Sequence, residues 1–372
     1  MKKFLALFVA FFALYALTAQ RGLGWGDSAE FQDWVLNHSE FICGPRFSNA
    51  HPLYVSFCRL VTSLASTFNS QLFNSQLQLF NSQPLNSQLQ LQLFSLSLVS
   101  SFFGALSVAG FYLITRRFAL AFIFGLSQML WWLSTLAEVQ TMSLALTVFE
   151  VWALLEFRKE RKWYYASTLT LLCGVHLFVH NFVLLCLPIY VIICPYVLIS
   201  TLPYLYMIYL RGPTDVLMGY YAGKVIGVLP SSWTETAFNL ALSALSFIVP
   251  ILLYKWRDKS RAGALWPVKI LFVINFLFFI RYFVQDQAQF LLPTLFFAYL
   301  LVAETPLSAT RAISLVLMQI MLPVMAYFVV SQFPVPEYRV LRHPDRKDSQ
   351  YFTLPWHFNM EANPEIKPCY SP

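Results

Sequence analysis

Long charge-free apolar runs, separated by short basic clusters, constrain this chain more than any other feature. Residues 163–210 contain no Lys, Arg, Asp or Glu. A bilayer span needs about 20 apolar residues, somewhat fewer where neighbours bury the helix. Runs at 4–19, 94–115, 118–133, 141–157, three within 163–210, 234–254, 266–283, 290–303 and 312–330 meet that need. They predict an all-α integral membrane protein, a bundle of about 11 transmembrane helices with a long first extracytoplasmic loop.

Charge then sets the sidedness. Lys2-Lys3, Arg116-Arg117, Arg158 to Lys162, Lys255 to Arg261 and Arg311 all fall on one side, which the positive-inside rule makes cytoplasmic. The N-terminus is therefore expected in the cytoplasm. The first run could be a cleaved signal peptide ending near Leu17-Thr18-Ala19, but the many later runs favour a retained helix. Residues 20–93, 211–233, 281–289 and the tail 331–372 lie outside, giving a membrane domain over 1–330 and a short extracytoplasmic tail. Such a chain belongs in a bacterial inner membrane, or in the endoplasmic reticulum membrane of a eukaryote.

Composition agrees. Only 12% of residues are charged, against about 25% in soluble domains, and 58% are apolar. The net charge of +7 does not form a basic, aromatic-interleaved surface, so no nucleic-acid partner is expected. Six cysteines show no metal-ligand spacing. Cys173, Cys186 and Cys194 read as small buried apolar groups. Cys43 and Cys369 both fall outside, leaving a disulfide between them open. Residues 69–93 contain a near-tandem Asn-Ser-Gln-Leu repeat, read as an uncharged spacer in the first outer loop.

The chemistry is expected in the outer loops. Asp27 and Glu30 follow the first helix directly and are three residues apart, on one face of any helix starting there. A carboxylate near the headgroup plane is partly desolvated and so becomes a stronger base. The same pair also reads as a capping box, Asp27 as cap and Glu30 closing it. Both readings stand on the residues alone. His176 and His180 have formal metal-ligand spacing, but polar packing between helices explains them more simply.

The run Gly26-Asp27-Ser28-Ala29-Glu30-Phe31, then Ala50-His51-Pro52-Leu53-Tyr54, resembles the transmembrane protein 260 family (domain of unknown function 2723). That family is protein O-mannosyltransferase-like and lies in the GT-C glycosyltransferase superfamily. Its pattern has Gly where this chain has Ala29, and a longer His-Pro-Pro-Gly-Tyr-Pro-Leu stretch where this chain has a shortened block. Weaker matches follow in order. They lie at 94–117, Ala137-Glu138-Val139, Leu172 to His176, Gly212-Pro213-Thr214, Gly223-Lys224, Asp286 to Ala303, and Asp345 to Tyr351.

The resemblance implies a membrane transferase with a GT-C-like fold. It would move a sugar, mannose by family expectation, from a polyprenyl-phosphate carrier to a protein or glycan acceptor at the outer face, typically Ser or Thr hydroxyls. Asp27 is then the expected base, with Glu30 a supporting or metal-binding carboxylate beside it. No cofactor is required by the residues, although a divalent cation fits the family. His51, Glu138, Lys224 and Arg281 are expected to bind substrate, since the departing phosphate calls for Arg or Lys nearby. Arg211 lies at the same boundary. The chain stops at Pro372 without the large soluble domain of longer members. A non-catalytic scaffold derived from the family, or a lipid or solute transporter, are the competing readings.

Overall fold

The structure is a computed structural model, and it describes residues 1–24, 27–43, 50–67, 87–216, 246–254, 265–281, 287–332 and 354–358. Every regular element among them is helical. The helices are α1 (Lys2–Thr18), α2 (Asp27–Asn37), α3 (Pro52–Thr67), α4 (Ser87–Thr115), α5 (Phe118–Gly125), α6 (Gln128–Ser134), α7 (Gln140–Glu160), α8 (Trp163–Leu177) and α9 (Val183–Ile193). They continue with α10 (Leu202–Arg211), α11 (Pro213–Val216), α12 (246–254), α13 (Trp266–Arg281), α14 (Leu292–Leu301) and α15 (Ala309–Gln332).

Helix α4 is the axis of the bundle, with α1, α3, α5, α6 and α7 packed around it. Small residues make the close approach possible. A Cβ on Gly104 would collide with Ser134 of α6, and one on Gly110 would sit 2.6 Å from Val148 of α7. Small residues at such contacts let helix backbones approach closely, and interhelical hydrogen bonds then tie them together. Ser101 Oγ donates to the Ser134 carbonyl at 2.7 Å, and Tyr15 OH of α1 donates to the Gly125 carbonyl at 2.6 Å. Leu7, Phe11 and Tyr15 are buried, so α1 is an integral part of the core.

Polar groups lie inside and apolar ones outside. Gln32, Glu138, Glu150 and His176 are buried, whereas Leu171, Ile192, Leu205, Tyr209, Leu277, Leu317 and Phe328 are exposed. Exposed apolar surface on this scale marks a face that water does not cover, which supports membrane association. Two helical stretches among the described residues are long and apolar enough to cross a membrane, Leu89–Thr115 and Ala309–Phe328. The first, at 27 residues, is about 40 Å long against a hydrocarbon core of about 30 Å.

Several boundaries differ from the sequence expectation. Helix α4 starts at Ser87, inside the repeat, rather than at Phe94. Leu91 and Leu93 are buried there, and Gln90 between Leu89 and Leu91 is buried with them. The run 118–133 is broken at Ser127, whose amide and hydroxyl both turn back to the Phe124 carbonyl. Such local side-chain bonds compete with helix continuation. The charge-free stretch divides near Asn181 and Pro195, as expected, into α8, α9 and a 3-10 turn (Pro195–Thr201) leading into α10.

The connections gather at two poles. At one, Arg117 donates to the Thr305 carbonyl at 2.7 Å, and the Arg158 guanidinium lies over the Trp266 ring. At the other, the Gln20 amide donates to Thr135 O at 2.8 Å and the Leu53 amide to Phe178 O at 3.2 Å. The segment 354–358 also docks at this second pole. The His357 amide donates to Thr18 O at 2.7 Å, and its ring Nδ1 is 2.7 Å from Thr135 Oγ1.

Candidate active site

The second pole carries the candidate site, and short hydrogen bonds set its walls. After α1 the chain turns at 19–24, where Gln32 of α2 holds it through both ends of its amide. The Gly24 amide donates to Gln32 Oε1 at 2.7 Å, and Gln32 Nε2 donates to the Gly22 carbonyl at 3.2 Å. Helix α2 is thereby fixed against the end of α1. Arg59 of α3 secures the other end of α2 by donating to the carbonyls of Trp34 and Glu40. Arg59 also reaches 2.9 Å from Cys43, a buried free thiol; Cys369 lies outside the described residues.

Asp27 is the first residue of α2. Glu30 stands one turn on, pushed up to about 7 by burial and then by the negative charges of Asp27 and Asp33. A carboxyl in this range can hold or release a proton near neutral pH.

Between them, Ser28 Oγ donates to Glu138 Oε1 at 2.9 Å. Glu138 comes from the turn between α6 and α7 and is 6% exposed. Ser100 of α4 holds that turn, its hydroxyl bonding both the amide and the carbonyl of Glu138. Glu138 is thus a buried acceptor tied to α2.

His51 enters from the start of α3 with φ of 43°, a left-handed backbone directly before Pro52. Non-glycine residues adopt this at a cost of about 1–3 kcal/mol and only where surroundings impose it. Those surroundings are specific. His51 Nδ1 lies 2.8 Å from the Val179 carbonyl, its ring stacks on His180 at 5.0 Å and 13°, and the Phe31 ring meets it edge-on. His180 in turn accepts the Phe182 amide proton at Nδ1 and has Nε2 3.3 Å from the Gln140 amide.

Burial pushes His51 below the ordinary imidazole value, opposed by its bond to Val179 and by the charge of Asp27. Burial drives His180 further down, and His51 and His176 add to the shift. Both rings are therefore neutral near pH 7.

Four of the expected site residues, Asp27, Glu30, His51 and Glu138, are thus carried by neighbouring segments of one pole. Lys224 lies outside the described residues, and Arg281 is placed only as the last residue of α13. Arg211 is engaged by Asp215 at 2.6 Å. Among the described residues no set of three or more His, Cys, Asp or Glu side chains assembles as a metal site, so the divalent-cation expectation finds no ligand set there.

Sequence reasoning missed two features. His180 and Gln140 complete the histidine pair, but their partner lies far away in sequence. Helix α8 ends at Leu177, yet the His180 amide still bonds the His176 carbonyl at 2.8 Å. The His176 ring bonds Glu150 inside the bundle at 2.8 Å. No protein-family model, curated protein or solved structure matches this chain.

Proposed function

We propose that this chain is a multi-pass membrane glycosyltransferase of GT-C type, with about 11 spans and its site at the extracytoplasmic face. It moves a sugar, mannose in the first instance, from a polyprenyl-phosphate carrier to the hydroxyl of a protein or glycan acceptor. One observation carries this reading. Asp27 and Glu30, Ser28 bonded to Glu138, and the strained His51 occupy a single pole of a bundle whose flanks are apolar. A lipid-linked donor needs a site at headgroup level, and acyl-acceptor chemistry is not required of it. What is required is a group to receive the hydroxyl proton as the anomeric carbon is attacked. The carboxylates of α2 supply negative charge for that step, and Lys224 and Arg281 are proposed partners of the departing phosphate.

The test is sugar transfer in membranes containing the full chain, supplied with radiolabelled polyprenyl-phosphate mannose. Transfer that requires the protein and collapses in Asp27→Asn, at equal membrane abundance, supports the proposal. Absence of transfer across a panel of carrier-linked sugars overturns it.

A second reading, a solute transporter, is favoured by the fully buried Glu150–His176 pair, since ionisable groups inside a membrane bundle commonly line transport paths. Proton-coupled solute uptake into proteoliposomes, lost in Glu150→Gln, would select it.

A further inference from the structure

We propose that His51 Nε2, rather than a carboxylate of α2, takes the proton from the attacking hydroxyl, with Asp27 balancing the imidazolium and His180 positioning the ring. This rests on the glycosyl-transfer reading above. The argument begins with the tautomer. The Val179 carbonyl can only accept, so the His51 nitrogen 2.8 Å from it must carry a hydrogen. In the neutral ring the other nitrogen, Nε2, is then bare, and it has no hydrogen-bond partner among the described residues. This is the arrangement of a base oriented from behind by a third group.

The ring is held on every side that the structure describes. His180 stacks on one face, Phe31 of α2 meets it edge-on, and its backbone before Pro52 is left-handed. Strain of this kind persists where the surrounding structure over-determines it and clusters at working sites. His180 does not compete for the same proton. Its Nδ1 accepts the Phe182 amide at 3.1 Å, and its Nε2 lies 3.3 Å from the Gln140 side-chain amide.

Charge supports the assignment. The ionisable groups acting on His51 are Asp27 of α2 and His180 of the 178–182 segment; burial keeps the ring neutral while Asp27 favours the protonated form. The base is thus ready before reaction and is stabilised once charged.

The step balances as follows. The hydroxyl oxygen bonds the anomeric carbon, and the bond from that carbon to the phosphate oxygen breaks with its electron pair leaving on the phosphate. The hydroxyl proton moves to Nε2. His51 is then restored by losing that proton to water.

The experiment compares wild type, His51→Gln, His51→Asn and Asp27→Asn in membranes at saturating polyprenyl-phosphate mannose across pH 5 to 9. Asn is included because it tolerates a left-handed backbone. The wild-type rate should fall below pH 6.5, as the ring takes up a proton. Both His51 variants should lose about 100-fold or more in kcat, and the acid limb should vanish from their residual activity. A His51 variant within about threefold of wild type, or one keeping the limb, overturns the inference while leaving the glycosyltransferase reading intact. A wild type that transfers no sugar overturns both. If neither His51 variant accumulates, nitrogen-15 shifts of the wild-type histidines in micelles decide. The Nδ1–H form at His51 supports the assignment and the Nε2–H form overturns it.

Discussion

His176 Nδ1 lies 2.8 Å from Glu150 Oε1, and neither side chain has any exposed surface. Ser143 Oγ is 2.7 Å from the other ring nitrogen, and Tyr190 OH donates to Glu150 Oε2 at 3.2 Å. Three helices, α7, α8 and α9, are joined by these bonds. On α7 the polar residues Gln140, Ser143, Thr147 and Glu150 recur every three or four positions, which places them on one face. That face runs from His180 at the site down to the buried pair, a distance of about 15 Å.

Removing one partner of such a pair leaves the other buried without its counterpart. Glu150→Leu should lower stability by about 3–5 kcal/mol. Glu150→Leu combined with His176→Leu should recover much of that loss, because two packed apolar groups replace two buried polar ones. Denaturant unfolding in detergent measures both variants. A double variant no better than the single one would show that the pair is not energetically linked.

Glu30 sets a pH dependence of opposite sense to an ordinary paired carboxylate. Its folded value of about 7 lies above the ordinary 4.5, so the folded state holds the proton more tightly than the unfolded chain does. Its contribution is therefore fully present below pH 4.5 and is lost as pH rises toward 7. Glu30→Gln should match wild type at pH 4 and be the more stable protein at pH 8. Unfolding midpoints measured from pH 4 to 8 check this. Parallel curves for the two proteins would contradict the burial of Glu30 against Asp27 and Asp33.

The α-helical class and the breaks near Asn181 and Pro195 were legible because each has a local signal. Apolar run length marks a helix, and Pro195 interrupts one. What escaped depends on long-range contact. Glu150 sits within a run that reads as apolar, and only the fold brings His176 and Tyr190 to it. The Leu/Gln repeat reads as a spacer, yet its last residues extend α4, because packing against neighbours overrides a weak local pattern.

Gly104 should tolerate no side chain. A Cβ there meets both the hydroxyl and the Cβ of Ser134, the latter at 2.8 Å, and Ser134 Oγ is already committed to the Leu130 carbonyl. A side-chain atom so near the backbone cannot swing away, so α4 and α6 must separate. Gly104→Val should cost about 1–3 kcal/mol. Gly174→Ala on α8 is the control, because its nearest contact, the Ser200 Cβ at 3.5 Å, is ordinary. Thermal unfolding should separate the two variants, and equal losses would refute a tight α4–α6 contact.

The exterior of α15 tests the multi-pass membrane reading most directly. Ile313, Leu317, Met321, Met325 and Phe328 are each 53–60% exposed and recur every three or four residues. Gln319 points the other way, is 1% exposed, and donates to Tyr299 OH at 2.7 Å. In water this arrangement would leave a continuous apolar stripe about 22 Å long uncovered, at about 25 cal/mol for each Å² that a hydrocarbon environment would relieve. Helix α15 continues through Pro323, although that residue has no N–H to offer the Gln319 carbonyl one turn earlier. A nitroxide at Leu317→Cys, in a cysteine-free chain reconstituted into bilayers, should collide strongly with oxygen and weakly with a water-soluble nickel complex. The same label at Ile313 and Phe328, nearer the two ends of the stripe, should show more collision with nickel than at Leu317. At Gln319 both collision rates should be low, because neighbours rather than lipid surround that position. Free access of nickel to Leu317 would mean that this face meets water or a soluble partner, and α15 would no longer count as a span.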